Sequence, residues 1–485
     1  MIRYLLLIVL LIFLCFVAAQ PRPPASPSAS IVKEKERPDV ELYMAGTRVY
    51  ADDLPEPDLP EPSETPTRSP TAIPTQAPVK CASYVSPSGS DSGTGTESDP
   101  WASLEGAAAQ VEAGCTVYIA DGTYSGRQVI KRRFTEPTTF KAINAYHATF
   151  ENADLVLDLD GAANIILEGL VFRHSGPTTA IVAAAHEDDG IWVENIVIRN
   201  SVFHDSYGND LLKPHRGVRG MLIENSVFYN QGSTEEHLDI NGVIDVTVRR
   251  SIFFNDYEAS GRAQPADTGG LFIFKDSGGD NDGVEGSRNV VFADNIVIAA
   301  GALETDTREP VLKLGGDGRA YYELIGGNVS GNLFLAQGGH ARAWVGIFGV
   351  SQISITNNTF AGHHLGPYHF ALVETKSGGL ASSGVAIEGN VFDDSTGAMP
   401  RFSGGSASAI DEWYIRGNTY WNGGLPLPGG QPIAPADDPE ATISDPGYDD
   451  AYPALVLPTI DRLLAGHTIA AEYERIKAEV GGGGE

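Results

Sequence analysis

Short apolar runs dominate the chain from about residue 122 onward. Hydrophobic and polar positions alternate there with period two, and Gly, Asn and Asp separate the runs, as expected for half-buried strands joined by tight corners. Eight segments share one unit when aligned: NIILEGLVFRHS, NIVIRNSVFHDS, GMLIENSVFYNQ, DVTVRRSIFFND, NVVFADNIVIAA, QISITNNTFAGH, GVAIEGNVFDDS and EWYIRGNTYWNG. Each reads as a strand of alternating Val and Ile, a polar corner, and a second strand that in most copies ends in an aromatic residue. Asn200, Asn225 and Arg250 mark the corner 25 residues apart, and Asn295, Asn332, Asn358, Asn390 and Asn418 repeat it at variable intervals, which assigns insertions to loops between copies. No copy can bury its apolar side alone. Stacked copies can, with neighbouring strands about 4.8 Å apart, so the pattern predicts an all-β parallel solenoid whose equivalent residues form ladders. Corner asparagines such as Asn200, Asn225 and Asn358 are then structural.

The pattern differs on either side of the repeats. Trp101, Leu104, Ala108 and Val111 recur on one helical face behind Asp99 and Pro100, which predicts a short helix capped by Asp99 and in need of a surface to cover. Cys81 and Cys115 flank this segment and are either a disulfide or two buried thiols. At the start, Arg3 precedes an apolar run from Tyr4 to Ala19 ending in Val17-Ala18-Ala19, which predicts a secretory signal over residues 1–19. An uncleaved N-terminal anchor is the alternative, although a span needs about 20 apolar residues. Residues 20–80 are rich in Pro, Ser, Thr and acids and read as an extended linker. The repeats occupy residues 81–430, and residues 431–485 form a tail with a helical stretch near Thr468 to Glu479.

The opening YVSPSGS, GTESDPWASL and AGCTVYIADGTY, followed by these repeats, resembles the right-handed parallel β-helix proteins of the pectate-lyase-like kind. The resemblance covers roughly residues 81 to 430. It implies that the helix caps the first coil and that the chain works outside the cytoplasm, secreted or on the cell surface, on polysaccharide. The fold also carries hydrolases, epimerases, tailspikes and adhesins, so it does not specify the reaction. The NTD and GHG signatures of β-helix polygalacturonases and an RxPxxR pattern are absent, and the one RIK, Arg475 to Lys477, lies in the tail.

A further set of strands carries unusual charge: DLLKPHRG, EHLDINGV, GLFIFKDS, PVLKLGGD and ALVETKSG. Lys213 lies 13 positions after Asn200 and Asp239 lies 14 after Asn225, which makes them neighbours on adjacent coils, with Lys275 and Lys313 following. Such a face suits β-elimination on a uronate polysaccharide, which needs a neutraliser for the carboxylate, a base for the C5 proton and a donor for the leaving oxygen. Lys213 is the candidate base, with His215, Arg216 and Arg219 expected to lower its pKa. Asp239 opposes this unless it holds calcium with Asp210 and Glu236, the arrangement that the resemblance to lyases of this fold also implies. His237, Lys275 and Lys313 are candidate substrate ligands. The competing reading is a solvated ion-pair ladder on a noncatalytic glycan-binding or adhesin-like module.

Weaker signals are the acidic loops HEDDG (186–190) and GGDNDGVEG (278–286), read as plain loops, and His363 and His364, read as surface residues. Trp192, Trp344, Trp413 and Trp421 are sugar-stacking platforms only if they face outward. The formal charge of -30 disfavours nucleic acid and an anionic membrane surface as partners, and leaves membrane contact to the N-terminal segment.

Overall fold

The computed structural model describes residues 42–44 and 47–49, and residues 81–446 apart from 177–180, 187–189, 233–234, 256, 258–259, 264, 266–269, 279–284, 301–308, 338–340, 364–367, 395 and 398. The signal segment, most of the linker and the tail helix lie outside the described residues, as do His364 and most of both acidic loops. The chain forms two compact units, Met1–Gln76 and Ala77–Glu485. In the first, Leu42–Met44 pairs antiparallel with Thr47–Val49. Among the described residues no helix is long and apolar enough to cross a membrane.

In the second unit each strand pairs in parallel with its equivalent in the next repeat. Ile165, Ile196, Met221 and Val246 follow one another in register on one face. Phe150, Phe172, Phe203, Phe228 and Phe253 do so on another. Among the described residues one sheet of 22 strands and one of 12 enclose a long main core, and two smaller buried apolar clusters accompany it. The phenylalanines stack inside it with centroids 5.6, 5.0, 4.9 and 4.9 Å apart, the offset geometry that gives aromatic pairs about 0.5–1.5 kcal/mol beyond their burial.

The strands that matter for the site are β1 (Leu212–Glu224), β2 (Leu238–Arg249), β3 (Phe272–Lys275) and β4 (Leu312–Gly315). β1 and β2 are long because they turn a corner without ending. Their register shifts between His215 and Val218, where Arg216 takes a left-handed φ of 60° and Gly217 one of 87°. Near the C-terminal end lie β5 (Val391–Asp393) and β6 (Thr419–Trp421) of the 12-stranded sheet.

The repeated corner asparagines divide into two kinds. Asn200, Asn225 and Arg250 have φ near 50° and serve the backbone turn, a role that Asp294, Gly331, Asn357, Gly389 and Gly417 take later. Asn295, Asn332, Asn358, Asn390 and Asn418 sit one position further on and are buried. Each donates from Nδ2 to the next Oδ1 at 2.9–3.1 Å, and the run ends on Asp438. Upstream, Ser201, Ser226 and Ser251 hold the same inner position, with each hydroxyl accepting from the backbone N–H one repeat earlier. The single marker seen in the sequence is thus two adjacent positions with different work.

The helix α1 (Leu104–Gln110) starts later than expected. Ser103, not Asp99, is its N-cap, accepting from Gly106 N–H at 2.9 Å, and Asp99 instead accepts from Thr94 within the preceding turn. Trp101, Leu104, Ala108 and Val111 are all buried, as their spacing predicts. Cys81 and Cys115 form a disulfide, with Cα atoms 4.8 Å apart.

Candidate functional site

β1 and β2 place two opposite charges side by side. Leu212 pairs with Leu238, both facing the core, so the alternation of the pleat turns Lys213 and Asp239 outward on adjacent rungs. Lys213 Nζ lies 2.6 Å from Asp239 Oδ2 and 3.0 Å from Asp210 Oδ2, in the turn that leads into β1. Asp210 is fully buried, and its Oδ1 accepts from the Glu236 backbone N–H at 2.9 Å. That bond draws the turn before β2 against the turn before β1. The result is a cluster in which carboxylate oxygens of Asp210, Glu235 and Glu236 lie within 4.8 Å of one another, with Asp239 beside them.

The cluster is crowded with like charge. Burial and the fields of Asp210 and Asp239 push the Glu235 carboxyl up to about 7, although Lys213 pulls against them. Burial, then Asp210, Asp239 and Glu235, hold Glu236 well above the ordinary carboxylate range. Burial and Asp210 likewise raise Asp239 despite Lys213 and Lys275. Among the described residues, the buried Oδ1 of Asp239 accepts no hydrogen bond. Four carboxyl groups therefore face two ammonium groups, and one carboxylate oxygen has an unused lone pair aimed at no donor.

Lys213 does not have the lowered pKa expected from its sequence neighbours. Burial pulls the amine down, but the carboxylates of Asp239 and Asp210 outweigh it, and the group stands above the usual lysine value. Arg219 is turned away, its guanidinium 4.4 Å above the Trp192 ring and 3.7 Å from Glu194. His215 stacks on His186 at 5.2 Å. Burial, then His186, Lys213 and Arg216, lower its pKa to about 3, so it is neutral at physiological pH.

His237 is corrected as a substrate ligand. It is fully buried, packs against Phe253 and Phe272, and its Nε2 meets Asn255 Oδ1 at 3.0 Å. It precedes the first residue of β2, where strand alternation does not apply, and it turns into the core. Lys275 lies in register with Asn241 and pairs with Asp317 at 3.2 Å; burial lowers its pKa, but Asp239 and Asp317 outweigh this and raise it. Lys313, further along, pairs with Glu309 at 3.1 Å and stands apart from the cluster. The same outer face carries Arg127 with Asp158 and Lys131 with Asp160 at 2.5 Å toward the N-terminal end. Among the tryptophans, Trp344 is buried with Phe334 and Phe360, whereas Trp192 is only partly buried.

Glu235 was not anticipated. Its one sequence signal is the Glu-Glu doublet ahead of β2, of which only the second member was expected to act.

No protein-family model matches this chain. The uncharacterized protein YwoF of Bacillus subtilis (strain 168) is 35% identical over 92 residues, 19% of this chain and 18% of YwoF, so the match spans less than a fifth of that relative's length. Among solved structures, XylC in complex with xylose superposes with a TM-score of 0.50 at 11% identity, over 76% of this chain and 87% of XylC. The PL6 family polysaccharide lyase Pedsa3628 from Pseudopedobacter saltans gives 0.42 at 13% identity, over 72% of this chain and 92% of its own. The body is a right-handed parallel β-helix of the pectate-lyase-like kind. In this β-helix the carboxylate cluster lies on the outer face of three central coils, where β1, β2 and β3 run side by side.

Proposed function

We propose that the β-helix acts on polysaccharide outside the cytoplasm, and that its cluster of Asp210, Glu235, Glu236 and Asp239 around Lys213 is the site. The observation that carries this reading is the convergence of four carboxyl groups and two lysines on one outer sheet face, largely buried there, with an oxygen of Asp239 left unsatisfied among the described residues. Surface ion pairs that serve only solubility have no need of buried, mutually repelling acids. The disulfide fits an oxidising compartment.

The residues present suit a divalent cation. Carboxylate oxygens are the ligands that calcium takes, and four acids against two lysines leave an excess of two negative charges when all are ionised. Asp210, Glu235, Glu236 and Asp239 would hold it, and when bound it supplies positive charge to neutralise a uronate carboxylate.

Lys213 is the candidate base for the C5 proton of a uronate; a cation held by Asp210, Glu235, Glu236 and Asp239 would weaken the carboxylate fields that keep its amine protonated. The C5–H bonding electrons form the C4=C5 double bond, the C4–O bond breaks with its electron pair going to the glycosidic oxygen, and that oxygen takes a proton from solvent water. Arg216 and Lys275 flank the base as donors to anionic groups of the sugar, and His215, neutral, donates or accepts a hydrogen bond. Lys313 extends the same face toward further sugar units.

A second reading, a noncatalytic glycan-binding face, is favoured by the pairing of Lys213 on both sides and by the ladder of ion pairs along the sheet. A panel of uronate polysaccharides with and without calcium, followed by ultraviolet absorbance of the unsaturated product, separates the two. Product that Lys213→Ala abolishes supports the lyase; glycan binding with no product on any substrate supports the binding face.

A further inference from the structure

The outer face of the 12-stranded sheet is apolar along its middle. Phe172, Phe203, Phe228 and Phe253 turn from its short strands into the main core, so the residues on either side of each point outward. Those residues form two rows in parallel register. One runs from Val171 to Leu333 through Val227 and Ile252, and the other from Tyr229 to Ala361 through Phe254. They make a buried cluster of their own, to which, among the described residues, only Tyr146 is added from outside the sheet. Val227 and Ile252 are 0% exposed and Phe254 6%. A parallel sheet that is apolar on both faces needs both of them covered. The strip has charged ends: the Arg173–Glu151 pair at 3.0 Å closes one, and Asp393, in register with Ala361, closes the other.

The segment that follows the last strand of this sheet carries a matching apolar face. β7 (Thr442–Ile443) pairs with β6, and the last described residue is Pro446. In residues 447–485, Ile469, Tyr473, Ile476 and Val480 recur at spacings of four, three and four, one stripe of a helix, while Glu474 and Arg475 fall on the opposite side. Thr468 ahead of the stripe and Gly481 after it are start and stop residues. A helix this short is marginal in water unless its apolar stripe packs on something. The chain also has the reach. Ile252 lies six strands back from β7, about 29 Å at about 4.8 Å per strand. The 21 residues 447–467 extend to at most about 69 Å, and a 12-residue helix over 468–479 covers about 18 Å, close to four strands.

We propose that the tail helix lays its Ile469, Tyr473 and Ile476 face on the outer apolar rows of the 12-stranded sheet. The strands Val202–His204, Val227–Tyr229 and Ile252–Phe254 precede β1, β2 and β3 in the chain, so a helix seated on them braces the coils that carry the carboxylate cluster.

The test uses the full chain with a photoreactive phenylalanine analogue in place of Ile476, irradiated, digested and mapped by mass spectrometry. Cross-links within one chain to peptides containing Val202–His204, Val227–Tyr229 or Ile252–Phe254 are expected. Ile476→Asp is expected to raise the fluorescence of a dye that binds apolar surface and to lower the urea midpoint of the β-helix, while Arg475→Ala, on the opposite side of the helix, changes neither. Ile252→Ala is expected to lower the midpoint less in the Ile476→Asp background than alone, because the two side chains share one contact. Cross-links to a second chain would make this face an interface between copies. That result, cross-links elsewhere on the same chain, no cross-link, or Ile476→Asp behaving as Arg475→Ala overturns the proposal.

Discussion

At the scale of single residues, through-space partners override sequence neighbours. The chain places His215 and Arg216 within three residues of Lys213, but the repeat places Asp239 2.6 Å away and the preceding turn brings Asp210 to 3.0 Å. The register of Lys213 with Asp239 is legible from spacing alone, because both are counted from corner markers in adjacent copies. Glu235 and the buried position of His237 are not, since both precede β2 in a turn that no periodicity governs. Two predictions belong here. His237 is buried neutral with its pKa lowered to about 4, whereas the unfolded chain titrates near the ordinary 6.5. The unfolded state then binds more protons between those values, so stability contributed by this site is intact above about pH 6.5 and is lost as pH falls toward 4, by up to about 3 kcal/mol. His237→Phe keeps Asn255 Oδ1 satisfied by Asn230 N–H at 2.8 Å and should flatten that part of the stability profile in urea unfolding across pH. The second concerns Asp239→Asn. It removes one of the two carboxylates holding Lys213 charged, so the lysine pKa should fall, as read by pH-dependent chemical modification of its amine; an unchanged profile would mean Asp210 alone sets it.

At the scale of elements, ladders hold the coils in register. The alternation of Val, Ile and Phe identified the strands, and their stacking follows from identical neighbours one repeat away. The split of the corner into a left-handed position and an inner amide ladder was hidden because Asn occupies both, Asn225 in the first and Asn358 in the second. Asn358 exchanges hydrogen bonds with Asn332 and Asn390 and donates to Val329 O at 2.9 Å, all buried. Asn358→Ala should therefore cost several kcal/mol, about 1–3 for each group left unmatched. Asn225→Gly, which relieves a φ of 50°, should cost little by comparison. Urea unfolding midpoints of the two variants decide whether the distinction is real. Phe228→Ala opens the aromatic stack between Phe203 and Phe253 and should destabilise by about 3–5 kcal/mol.

At the scale of the whole molecule, the fold was legible almost entirely and the chemistry only in part. A repeat writes its architecture many times over, so errors in one copy are corrected by the next. A site is written once, by residues from different copies and from loops whose lengths vary. The disulfide was left open by the sequence because two cysteines 34 residues apart do not reveal their geometry; by loop closure it should contribute about 3–4 kcal/mol, measurable as a lower unfolding temperature under reducing conditions. The net charge of -30 and the glycan reading are in tension unless positive charge is concentrated at the site, and the excess of acids over lysines in the cluster makes a divalent cation the natural source.

The most direct test of that account is the initial rate of unsaturated product formation on a uronate polysaccharide as calcium is raised, for the unmodified chain and for Asp239→Asn. The account predicts a rate that requires calcium and a calcium requirement that rises in Asp239→Asn. A rate indifferent to calcium in both, or no product from any uronate polysaccharide, would contradict it.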